Sequence, residues 1–248
     1  MLPDLSFGGW AASLLAAFCA GLAKAGILGV GMLSVVLMAM VMDARSSTGL
    51  LLLVLVAADI GAVWIYRRNA KWRVLRRIIP PALAGVIIGY LIMGAIPAGI
   101  FSHVIGWIVL SMAVLHVINR LFGKNMEQYV HGHGFAWPMG LLGGITTMLA
   151  NAAGPIMTLY FLALDLPKME FVGTVAWFFF LINLFKIPFS IHLGIMKLDT
   201  LPFTLLVLPA MVAGMLLGQW IIVRIPQRIF EILVISLSAV GGLKLILS

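Results

Sequence analysis

Three charged residues stand inside long apolar runs: Lys24, Asp59 and Lys186. Placing one in lipid costs at least ~2.5–3.5 kcal/mol, so a residue of this kind has work to do there. For the two lysines that work can be holding an anion. Each also has a structural reading. Lys24 can snorkel to the headgroups or sit at a turn between half-helices. Lys186, one turn after Asn183 and two residues before Pro188, can pair with a carboxylate or reach an interface. Asp59 is either the counter-ion of Lys24 or a carboxylate that couples transport to protons.

Two glycine- and proline-marked breaks interrupt the same apolar runs. One is Gly26-Ile27-Leu28-Gly29-Val30-Gly31 and the other Asn151-Ala152-Ala153-Gly154-Pro155. A helix that starts in mid-membrane presents unpaired backbone N–H groups and the positive end of its dipole, which together attract anions. Proline suits a helix start because its missing N–H is not needed there. Glycine lets a ligand approach the backbone. The competing reading is close helix packing through small residues. Thr146, Thr147 and Asn151 either add hydrogen bonds to a ligand or cap the break. These residues give a candidate anion-binding set: Lys24, Gly29, Gly31, Thr147, Asn151, Gly154, Asn183 and Lys186, with Asp59 as the coupling candidate. No catalytic residue, metal or cofactor is expected.

The elements that must position this set are membrane spans. Of the 248 residues, 63% are hydrophobic and 10% charged, far from the roughly 25% charged of a soluble domain. No Asp, Glu, Lys or Arg occurs from Ile78 to Asn119, Gln128 to Leu164 or Thr200 to Val223. These runs are continuously apolar, so they read as helices and not as the ~10-residue alternating strands of a barrel. The net charge of +8 lies in short loops between spans, which orients a membrane protein and gives no reason to invoke nucleic acid. Cys19 is the single cysteine, which excludes an intrachain disulfide framework. The N-terminus lacks the positive start of a cleavable signal peptide.

The apolar elements run over 7–42, 47–66, 78–95, 99–119, 138–164, 171–191, 201–223 and 228–247. A weak internal repeat relates them. At an offset of 124, Ala39 meets Ala163, Gly49 meets Gly173 and Asp59 meets Asn183. At 129, Gly85 and Gly89 meet Gly214 and Gly218, and Ile96-Pro97 meets Ile225-Pro226. The basic segment 67–77 belongs in the cytoplasm, whereas its counterpart 192–200 reads as an outside loop. Equivalent loops therefore face opposite sides, as inverted repeats require. This works if 7–42 and 138–164 each enter and return as a pair of shorter helices.

The expected fold is an all-α polytopic membrane protein with two inverted-topology repeats. Each has a broken, re-entrant helix pair followed by three spanning helices. Residues 1–122 form the first repeat, 123–137 a polar cytoplasmic link and 138–248 the second. Arg67, Arg68, Lys71, Arg73, Arg76, Arg77, Arg120, Lys124, Lys168, Arg224 and Arg228 then lie inside, and Arg45, Lys197 and Lys244 outside. The alternative is eight plain spans with parallel halves. His103 and His116 do not share the i, i+4 face of a metal pair and read as packed or interfacial. Trp72, Trp107, Trp137 and Trp220 read as interfacial anchors.

The chain resembles the TauE/SafE family of sulfite-exporter, DUF81-type permeases over essentially its full length. The resemblance rests on Gly21-Leu22-Ala23-Lys24-Ala25-Gly26 through Gly31 and on Gly49. In the second half it rests on Gly140-Leu141-Leu142-Gly143-Gly144, Gly154-Pro155, Gly173 and Asn183. Lys24 and Gly29-Val30-Gly31-Met32 stand where the commoner pattern has a denser glycine run ending near a proline. The resemblance implies an exporter of sulfur-containing anions such as sulfite, sulfonates and sulfoacetate, in a multi-pass bacterial inner membrane. Its partners would be the small anion and the bilayer, with export driven by protons through Asp59 or by the membrane potential. Other readings are an accessory membrane subunit and a cation transporter, which Asp59 alone supports. A membrane hydrolase lacks a nucleophile with its base: no Gly-x-Ser-x-Gly, His-Glu-x-x-His or paired intramembrane aspartates occur.

Overall fold

The computed structural model describes residues 5–27, 30–122, 133–164, 166–221, 243 and 247. Among them the secondary structure is helical. The helices are α1 (Phe7–Lys24), α2 (Gly31–Val41), α3 (Ala44–Tyr66), α4 (Trp72–Ala95), α5 (Phe101–Phe122), α6 (His133–Ala150), α7 (Gly154–Leu162), α8 (Lys168–His192) and α9 (Leu201–Ile221). Five segments among the described residues are long and apolar enough to cross a bilayer: Phe7–Lys24, Ala44–Tyr66, Trp72–Ala95, Met169–His192 and Leu201–Trp220. The protein is a multi-pass helical membrane protein.

Both over-long apolar runs are broken where small and polar residues cluster. The first splits into α1 and α2, the second into α6 and α7. Neither run is a single continuous helix. Helix boundaries also move from the hydropathy edges. Asp43 accepts from the Ser46 N–H at 2.9 Å, so α3 starts at Ala44, before the expected 47. α4 starts at Trp72, so Arg73, Arg76 and Arg77 form its first turns and are not loop residues. α4 also runs through Pro80 and Pro81. α6 starts at His133, before the expected 138. Gly29, residues 123–132 and nearly all of the 228–247 element lie outside the described residues.

The two halves of the sequence interleave. α1 packs on α9, α4 on α6, and α3 on α8. Glycines make the first two contacts possible. A Cβ on Gly21 would fall on the Met211 carbonyl, and one on Gly214 on the Phe18 carbonyl. At the other seam a Cβ on Gly85 would strike the Leu141 carbonyl, and one on Gly144 the Ala82 carbonyl. Backbone lies directly on backbone, as in small-residue packing between transmembrane helices.

α3 and α8 run antiparallel at the centre. Gly49, near the start of α3, lies against Ile195 just past the end of α8. Gly173, near the start of α8, lies against Tyr66 and Asn69 at the end of α3. Side-chain contacts tie each end. Lys71 pairs with Glu170 at 2.8 Å and gives its N–H to Thr174 Oγ1 at 2.9 Å. At the opposite end Arg45 donates to the Met93 carbonyl at 3.2 Å, and Tyr90 Oη lies 2.9 Å from His192 Nδ1. Arg67, Arg68, Lys71, Arg73, Arg76 and Arg77 gather at the first end. Trp72, Trp107, Trp137 and Trp220 are all exposed on the perimeter.

Candidate functional site

The two helix breaks use related backbone chemistry. α1 stops at Lys24, Ala25 caps it, and Gly26 turns the chain at φ +112°. α6 stops at Ala150, and Asn151 turns the chain at φ +53°. Positive φ just past a helix end is the usual stop, made by glycine or, less often, asparagine. After each stop the chain restarts as a short helix, at Gly31 and at Gly154, with Pro155 in its first turn.

A chain of polar side chains runs between the breaks. Lys24 Nζ lies 2.6 Å from Asp59 Oδ1, with the carboxylate fully buried. Asn183 Nδ2 donates to Asp59 Oδ2 at 2.6 Å. Lys186 Nζ donates to Asn151 Oδ1 at 2.5 Å, Thr147 Oγ1 at 3.2 Å and Asn183 Oδ1 at 3.3 Å. Asn151 Nδ2 closes the chain on the Thr48 carbonyl at 2.9 Å. Lys24 also stands over the Phe179 ring, 4.4 Å from its centroid, a cation–π contact.

This arrangement separates the two lysines. An ammonium has three N–H donors, and Lys186 has three oxygen acceptors around it in a fully buried setting. Lys24 has one carboxylate oxygen and an aromatic face, and it lines a cavity between the two breaks.

Gly31, Thr147, Asn151, Gly154 and Asn183 line the same cavity. Asp59 and Lys186 stand behind that lining. Of the expected set, therefore, Lys24, Gly31, Thr147, Asn151, Gly154 and Asn183 face one space. Lys186 and Asp59 reach it through neighbours, and Gly29 lies outside the described residues. Thr146 turns away, its hydroxyl donating to the Leu142 carbonyl at 2.8 Å.

Sequence reasoning missed Phe179 and the Thr48 carbonyl. Phe179 was within reach of it. Val172, Ala176, Phe179 and Asn183 all line the cavity, and their three- and four-residue spacing is one helix face. A backbone carbonyl such as that of Thr48 leaves no mark in sequence.

The fold and the buried charges together define a class: a polytopic membrane protein with an ionic site at paired helix breaks. The family model described as sulfite exporter TauE/SafE matches residues 13–245, and the chain belongs to that family, one of membrane transporters of the anion-exporter type. Comparison with curated proteins and with solved structures gave no match.

Proposed function

We propose that this protein is a secondary transporter that exports small sulfur-containing anions, sulfite and sulfonates such as sulfoacetate, by alternating access. The observation that carries this reading is the charge balance of the buried cluster. Lys24 and Lys186 share one carboxylate, Asp59, which is the one buried acidic side chain among the described residues. With both lysines protonated, the cluster would hold one positive charge more than Asp59 balances. An isolated charge there is costly, and a bound anion offsets it. The same excess disfavours a cation as cargo.

In this reading the anion sits in the cavity against Lys24, Thr147, Asn151, Asn183 and the helix starts at Gly31 and Gly154. Lys186 contributes charge and fixes the amides, while Lys24 makes the contact. An anion arriving at Lys24 competes with Asp59, which gives proton coupling a site; the membrane potential, which expels anions unaided, is the other driving force. The antiparallel course of α3 and α8 supports an inverted-topology repeat, with the basic end in the cytoplasm of a bacterial inner membrane.

The test is flux of sulfite and sulfoacetate in proteoliposomes, wild type beside Lys24→Met and Lys186→Met, with and without a pH gradient. Saturable flux that disappears in folded Lys24→Met supports the reading. No flux of either anion from folded wild type overturns the substrate assignment.

A further inference from the structure

We propose that the first turns of α4 form a binding site for the headgroup of an anionic phospholipid, separate from the transport site. Arg73, Arg76 and Arg77 are all exposed. Their three- and four-residue spacing sets them on one helix face. Among the described residues none of the three has an ion-pair partner. The sequence offers them no local carboxylate either, since no Asp or Glu occurs between Asp59 and Glu127. Glu170, which packs at this end, is taken by Lys71.

The same face continues into lipid. Ile87, Ile88 and Leu91 are exposed large apolar side chains in register with the arginines. From Arg77 to Leu91 the helix rises about 21 Å, more than the roughly 15 Å of hydrocarbon in one leaflet. A phospholipid whose phosphate meets the guanidiniums thus has an apolar track for its full acyl chain. Trp72, exposed beside Arg73, marks the headgroup level. Across the short loop, Arg67 lies over exposed Trp64, 4.6 Å from the ring centroid, and adds a further cation at the same end.

Two prolines refine the headgroup. Pro80 and Pro81 have no N–H to give the carbonyls four residues back, those of Arg76 and Arg77. Those two carbonyls, next to the guanidiniums, lack their usual helical donor. A headgroup carrying hydroxyls beside its phosphate serves both, which points to a glycerol headgroup. Juxtamembrane Lys and Arg clusters attract anionic lipids.

The experiment uses the full chain, purified in neutral detergent and stripped of lipid. In detergent there is no inside or outside, so the role of these arginines in orientation does not register. Thermal midpoints are read with added phosphatidylglycerol, phosphatidylcholine or free glycerol phosphate. Phosphatidylglycerol is expected to raise the midpoint by roughly 3 °C more than phosphatidylcholine. Arg73→Gln/Arg76→Gln/Arg77→Gln is expected to lose at least half of that difference, and Lys197→Gln, exposed at the opposite end, to keep it. Native mass spectrometry of the single variants, expected to carry fewer phosphatidylglycerol adducts than wild type, decides the matter if the triple variant does not fold. Equal response to both lipids, a full shift in the triple variant, an equal shift from glycerol phosphate, or a lipid-independent dimer covering this α4 face would each overturn the proposal.

Discussion

Asn183 donates a hydrogen bond to Asp59 across the α3–α8 interface at 2.6 Å, and the two residues stand 124 positions apart in the chain. That separation is the offset that relates Gly49 to Gly173. Two residues that the 124-residue offset pairs in sequence thus touch each other at the centre of the protein. The site's charge is unequal across this contact because one half supplies an acid where the other supplies an amide.

Removing Lys24 strands Asp59. In Lys24→Met the carboxylate is fully buried without its cation, a change that costs about 3–5 kcal/mol for a buried pair. Asp59→Asn should cost less, since Lys24 reaches the cavity and the new amide still accepts from Asn183. The double variant Lys24→Met/Asp59→Asn should recover most of the stability and none of the transport. Thermal melts in detergent beside liposome flux check this; flux in the double variant equal to wild type would remove Lys24 from the binding site.

Asp59→Asn also tests coupling. If protons drive export through this carboxylate, flux in the variant proceeds with no response to an imposed pH gradient, while wild-type flux changes severalfold. A variant that follows the gradient as wild type does would leave the membrane potential as the driving force.

Asn151 holds two jobs that substitution can part. Glycine accepts the φ of +53° without strain but gives up the bonds to Lys186 and the Thr48 carbonyl. Asn151→Gly should therefore fold, lose roughly 1–3 kcal/mol through unmet polar groups, and transport poorly. Asn151→Val adds a backbone misfit for a β-branched side chain and should be less stable than Asn151→Gly by thermal melt. The reverse order would mean that the backbone turn contributes little.

The glycine seams make a third stability test. Gly21→Ala, Gly85→Ala, Gly144→Ala and Gly214→Ala each push a methyl into a neighbouring backbone, and overpacking costs at least about 1–3 kcal/mol. Gly99→Ala, which meets nothing within 4 Å, should be close to neutral. Similar melting points for Gly99→Ala and Gly214→Ala would contradict the packing described.

Much of this was legible in sequence, and the limits have physical causes. Charge runs and hydropathy placed the spans because lipid tolerates few alternatives. The two breaks were marked by Gly26, Asn151 and Pro155, residues whose backbone preferences are local. The ends of α4 were not legible from hydropathy. Arg73, Arg76 and Arg77 mark where lipid stops, yet arginine is a good helix former, so the helix outruns the apolar stretch. The Lys24–Asp59 pair was open in sequence because the partners lie on different helices, and only packing decides whether they meet. The offset of 124 paired Asp59 with Asn183 in sequence; it carried no word that they touch, which follows from the antiparallel course of α3 and α8.

The seams at Gly21–Gly214 and Gly85–Gly144 bring backbone onto backbone. Each joins a helix from the first half of the chain to one from the second. α9 lies backbone-close on α1, and α6 on α4. The molecule is stitched across its sequence midpoint, and at the α3–α8 pair the stitch includes the hydrogen bond between Asn183 and Asp59.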